Sequence, residues 1–156
     1  MQPSAFDEVQ FFRAVYGSHA RALLIGRRAL VLLGLPVLTA DYDFWISIDD
    51  IETFNAAARA FDLQPTHSAD EARRRGRYVL ENDEHVDVLV ARSMTTVDGQ
   101  IVEFEALWGR RQAVVLDDVH VCVPSVDDLI LTKQVAARPK DLEDIRLLRI
   151  LKEDQS

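Results

Sequence analysis

Apolar positions along this chain switch between a three-to-four-residue period and a two-residue period, which predicts alternating helices and strands. Phe6, Val9, Phe11, Phe12 and Val15 recur at helical spacing. Ser4 stands ahead of them with Asp7 three positions later, as in a capping box, and Gly17 closes the helix. The apolar run Ala22 to Ile25 reads as a buried strand that turns sharply at Gly26. Arg28 to Leu33 predicts a short helix ended by Gly34; Pro36 breaks the pattern, and Leu38 to Ile46 reads as a strand. Ser47 and Asp50 suggest a further cap, followed by an alanine-rich helix from Ile51 to Phe61.

Between Gln64 and Gly76 the apolar pattern stops, and the run predicts a mobile polar loop carrying Arg73, Arg74 and Arg75. Arg77 to Leu80 and Val86 to Val90 alternate as strands, with a hairpin turn at Asn82, Asp83 and Glu84. Ile101 to Trp108 fits either period. Ala113 to Leu116 and Val119 to Val123 predict another strand pair across Asp117 and Asp118. Pro124-Ser125, with Asp128 at cap spacing, starts a helix whose buried side is Leu129, Leu131, Val135 and Ala136, with Lys133 in its middle. After Pro139 a last helix runs from Lys140 to Lys152, seamed by Ile145, Leu148 and Leu151. Asp141, Glu143 and Asp144 occupy its first turn, where negative charge suits the helix dipole.

With 156 residues the chain is expected to form one α/β domain over 1–156, without internal repeats. No run of about 18 apolar residues predicts a membrane span. The acidic N-terminus lacks the layout of a signal peptide. The single Cys122, in an apolar strand, reads as a small core residue, and these features together suggest a reducing cytoplasm. A net charge of −8 argues against a protein that coats nucleic acid non-specifically, although Arg73, Arg74, Arg75 and Arg77 form a local basic cluster.

The candidate chemistry is acidic. Asp41 and Asp43 lie two residues apart on one strand and therefore share a face. Paired carboxylates repel at neutral pH, and a hard divalent cation, Mg²⁺ or Mn²⁺, relieves that repulsion. Asp87 interrupts an otherwise apolar strand and is the natural third ligand if the two strands are neighbours. His85 shares its face and reads as a surface residue.

The spacing of Ile25-Gly26-Arg27 and Asp41-Tyr42-Asp43-Phe44 resembles the signature of the DNA polymerase beta-like nucleotidyltransferases. The C-terminal run containing Lys133, Arg138, Lys140, Asp141 and Asp144 is similar to the closing helices of small bacterial members, the abortive-infection and type IV toxin–antitoxin nucleotidyltransferases. The resemblance implies a mixed β-sheet flanked by helices, an α+β arrangement with a C-terminal helical pair. It also implies transfer of a nucleotidyl group from an NTP to an RNA (tRNA-like) or protein hydroxyl, and a cognate antitoxin or toxin as partner.

On that resemblance Asp41, Asp43 and Asp87 would hold Mg²⁺ or Mn²⁺, with Asp87 helping to deprotonate the acceptor. Gly26, Arg27, Thr39 and Lys133 would bind the nucleotide, Lys133 neutralising the pyrophosphate. Apart from the resemblance, Arg73, Arg74, Arg75 and Arg77 read either as a solvated connection or as a basic flap that holds a phosphate-rich acceptor. Two positions depart from the pattern: the family has Gly or Ser where this chain has Arg27, and many relatives carry Arg where it has Val37. Arg27 either clamps the triphosphate or fills the pocket. A member of this fold that has lost catalysis and binds a nucleotide or a partner chain is the alternative.

Overall fold

The structure is a computed structural model that describes residues 6–155. The expected cap at Ser4 lies outside the described residues. Asp7 is the N-cap, its Oδ1 accepting from the Gln10 amide at 3.1 Å, and α1 runs Glu8–Gly17. Then come β1 (Ala22–Ile25), α2 (Gly26–Leu32), β2 (Tyr42–Ile46), a 3₁₀ turn (Ile48–Asp50) and α3 (Ile51–Arg59). Next are β3 (Gln64–Pro65), α4 (Ala69–Arg75), β4 (Arg77–Glu81) and β5 (His85–Leu89). The chain continues with β6 (Ser93–Thr95), β7 (Ile101–Glu103), α5 (Phe104–Gly109), β8 (Gln112–Leu116) and β9 (Val119–Val123). It closes with the helical pair α6 (Val126–Lys133) and α7 (Pro139–Gln155).

The main sheet has the order β1-β2-β5-β4-β3. It is mixed: β2 and β5 run parallel, and the other pairs are antiparallel. Strand alternation sends Leu24, Phe44 and Val88 to one face, where they meet Phe11, Phe12 and Phe54 in the larger core. Phe11 and Phe44 pack edge to face, centroids 5.9 Å apart. Leu23 and Trp45 point to the other face and join Val102, Phe104 and Leu107 in a smaller cluster. Burying a side chain the size of Phe44 or Leu23 stabilises the fold by about 1.5–3 kcal/mol.

Several expectations need correction. The run Gln64 to Gly76 is not a loop. It contains β3 and α4, with Ser68 Oγ accepting from the Glu71 amide at 3.2 Å and Gly76 ending the helix at φ +81°. Only Ala72 of α4 is buried, so the helix carries almost no apolar signal. β2 starts at Tyr42, not Leu38, because Thr39 Oγ1 accepts from the Asp41 amide at 3.1 Å and turns the chain there. α6 ends at Lys133, so Val135 and exposed Ala136 belong to the turn after it, and Lys133 stands at its last position. Pro139 opens α7, where its missing N–H costs nothing. Ile101 to Trp108 divides into β7 and most of α5.

Candidate active site

Asp43 and Asp87 are direct Cα partners across the parallel strands β2 and β5. By alternation both lie on the face of Trp45 and Leu89, so the apolar floor of the smaller cluster ends in two adjacent acids. Gly26, at the junction of β1 and α2, has φ +69°, and a Cβ there would stand 2.5 Å from Asp43 Oδ2. Only glycine lets the β1–α2 turn pass this close. Burial and the Asp87 carboxylate push the Asp43 carboxyl above the ordinary carboxylate range; Asp41 adds to this, and Lys133 and Lys140 oppose it. An acid pair held at such a cost is chemically suited to a dication with hard oxygen ligands. Asp41 precedes β2 and so does not share a strand face with Asp43 as expected; it lies at the cleft wall beside Thr39. Among the described residues no three His, Cys, Asp or Glu side chains are drawn together into a ligand set, so the fit rests on the Asp43–Asp87 pair.

Two arginines fix the loop that leads to Asp41. Arg28 donates to the Thr39 carbonyl at 3.1 Å and lies over the Tyr42 ring, 4.4 Å from its centroid. Arg27 Nη1 reaches the Leu38 carbonyl at 3.4 Å.

The opposite wall of the cleft comes from α6, α7 and the turn between them. Asp144 is 0% exposed and Lys133 7%. Lys133 Nζ lies 2.9 Å from Asp144 Oδ2 and 3.8 Å from Asp141 Oδ1. Arg27 forks onto both oxygens of Asp144, at 3.2 Å through Nε and 3.1 Å through Nη2. Arg138 donates to Asp141 through its backbone amide at 3.1 Å and its Nε at 3.0 Å. Burial alone would raise the Asp141 carboxyl, but these bonds and Lys133 hold it below its ordinary value. Asp141 and Asp144 are therefore buried anchors of a cationic wall, not simply acids placed for the helix dipole. Lys133 is paired underneath the cleft, and Arg27 is held by Asp144 while still bordering the open space.

The four arginines expected to act together are separated. Arg73 pairs with Glu52 on α3, on the larger-core side, and with Asp70 at 3.1 Å. Arg74 and Arg75 are exposed on α4. Arg77, on β4, shares the Asp87 face and lines the cleft with Asp43. His85 is at the surface, yet its Nε2 is 3.3 Å from Asp87 Oδ2. Cys122 is half-buried, and burial pushes its thiol up. Met94 and Thr132 also line the cleft, and no sequence pattern marks them for that role.

The fold recurs in solved structures. The Thermotoga maritima protein TM1012, a proposed nucleotidyltransferase, superposes with a TM-score of 0.62 at 16% identity, covering 92% of this chain and 89% of that one. The antibiotic-resistance factor ANT(2'')-Ia in solution gives a TM-score of 0.63 at 17% identity, covering 93% and 86%. Its complex with adenylyl-2''-tobramycin gives 0.61 at 17% identity, covering 93% and 92%. A search of curated proteins finds no match. Residues 16–153 match the family described as "Nucleotidyltransferase of unknown function (DUF6036)", and the chain belongs to that family.

Proposed function

We propose that this protein transfers a nucleotidyl group from an NTP to an acceptor hydroxyl. The observation that carries the reading is Asp43, paired with Asp87 and set against Gly26, in a cleft walled by Arg27, Lys133, Arg138 and Lys140. The hydroxyl oxygen attacks the α-phosphorus, the bond to the bridging oxygen breaks, and pyrophosphate leaves. Asp87, half-buried and bordered by His85, takes the hydroxyl proton. The turn at Gly26 lets the Asp43 carboxylate lie against its backbone, and Arg27 and Thr39 line the cleft beside it, where the triphosphate would sit. Lys133 and Arg27, oriented by Asp144, present positive charge to the triphosphate and the departing pyrophosphate.

Asp43 and Asp87, with Asp41, would hold Mg²⁺ or Mn²⁺. When bound, the ion neutralises charge on the attacking and leaving oxygens. The adenylyl-2''-tobramycin complex of ANT(2'')-Ia supports a hydroxyl as acceptor, and RNA and protein hydroxyls belong to the same chemical class. The C-terminal set of Lys133, Arg138, Lys140, Asp141 and Asp144 supports a place among toxin–antitoxin nucleotidyltransferases; growth arrest on expression, relieved by a neighbouring gene product, tests it.

A specific observation favours a second reading. Arg27 and Lys133 are both committed to buried Asp144, an arrangement that also suits a nucleotide-binding protein without turnover. Incubation with α-phosphate-labelled NTPs, Mg²⁺ or Mn²⁺ and candidate acceptors decides between them. Label transfer by the wild type and its loss in Asp43→Asn supports catalysis. NTP binding with no transfer under either ion supports the second reading.

A further inference from the structure

Resting on the nucleotidyl-transfer reading, we infer that the acceptor carries a phosphate group close to the hydroxyl it offers, and that Arg77 seats that phosphate. The cleft cations fall into two groups. Arg27, Lys133 and Arg138 are paired with Asp144 and Asp141 on the α2–α6–α7 side, and Lys140 on that side acts on Asp43. These lie on the Gly26 side of the acid pair, the side to which the transfer reading assigns the donor's phosphates. Arg77 stands alone on the other side of the acid pair.

Arg77 is exposed, lines the cleft, and among the described residues makes no side-chain ion pair or hydrogen bond. Its Cα partner on β5 is Leu89, two residues beyond Asp87. One strand spacing across and two residues along put its backbone about 8 Å from that of Asp87, on the same face. A guanidinium there meets a phosphate oxygen bidentately while the neighbouring hydroxyl lies at Asp87. That separation suits a hydroxyl and a phosphate carried by one nucleotide or phosphosugar unit.

The test compares matched acceptors, AMP with adenosine and ribose 5-phosphate with ribose, together with a short RNA ending in a free hydroxyl and with tobramycin. Each is incubated with labelled NTP and Mg²⁺ or Mn²⁺. The phosphorylated member of each pair is expected to be labelled faster. Arg77→Ala should lower kcat/KM for it by about 10- to 100-fold, the loss of a charge-assisted hydrogen bond, and so remove the preference of the phosphorylated member over its partner. Arg77→Lys should retain part of the preference. Labelling of the RNA, or of the phosphorylated small molecule ahead of its unphosphorylated partner, that falls in Arg77→Ala supports the inference and identifies where the phosphate resides. Equal labelling within each pair, preference for tobramycin, label on protein alone, or a wild-type profile in Arg77→Ala overturns it while leaving nucleotidyl transfer intact. No label on any acceptor under either ion overturns the transfer reading, and the inference with it.

Discussion

The Asp43 carboxylate occupies the space in which a side chain at Gly26 would begin, 2.5 Å from the position of a Cβ. Gly26→Ala therefore meets two obstacles, a left-handed φ and a displaced acid. It is expected to lower stability by more than about 1 kcal/mol in urea unfolding and to weaken Mn²⁺ binding measured by calorimetry. Wild-type behaviour on both counts would show that the turn relaxes without moving Asp43.

Asp43 is ionised at a cost. Its carboxyl is pushed above the ordinary range by burial first and by Asp87 second, so the penalty is present above the raised pKa and is relieved as pH falls through it. Asp43→Asn should raise the melting temperature of the ion-free protein at neutral pH, and the gap from wild type should close as pH falls toward the carboxylate range. Mn²⁺ should raise the melting temperature of the wild type and leave the variant unmoved. An ion-free variant that melts below wild type at neutral pH contradicts this.

Asp144 is buried beneath two cations. Asp144→Asn leaves Arg27 without its counter-charge and Lys133 with only the longer pair to Asp141, and should destabilise the fold by about 3–5 kcal/mol in denaturant titration. A loss under about 1 kcal/mol would show that solvent or Asp141 compensates.

Arg27 connects this buried acid to the cleft. If it also contacts the triphosphate, Arg27→Ala should weaken NTP binding by about 1.5–3 kcal/mol. If it fills the pocket, Arg27→Gly should strengthen binding. Unchanged affinity in both variants removes Arg27 from the nucleotide site and leaves it a structural partner of Asp144.

Ser68→Ala removes the cap of α4 and should cost about 1 kcal/mol, seen as faster hydrogen exchange at Ala72 and Gly76. Unaltered exchange at these amides would mean that α4 does not depend on its cap.

This helix marks one limit of what the sequence discloses. Its cap signature, Ser68 with Glu71 three positions on and Gly76 beyond, is present in the chain, but a helix that buries only Ala72 has no hydrophobic period to detect. By contrast, Asp43 and Asp87 were legible because each acid interrupts an apolar strand, and the parallel pairing of β2 and β5 makes them neighbours. The role of Asp144 was not legible from its position. In a first turn it reads as a dipole partner, and only the fold brings Arg27 of α2 and Lys133 of α6 to it. Arg73 and Arg77 look like one cluster in sequence, yet the helix end at Gly76 turns them to opposite sides of the sheet.

The parallel pairing of β2 with β5 also bears on how the protein folds. The segment between these strands contains α3, β3, α4 and β4, so Asp43 and Asp87 come together only after a long stretch of chain has closed. Antiparallel neighbours such as β4 and β5 need only a tight turn, whereas the β2–β5 ladder pays its closure entropy before any pairing repays it. The acid pair is thus a late contact. A divalent ion bound at the pair should therefore slow unfolding without speeding folding.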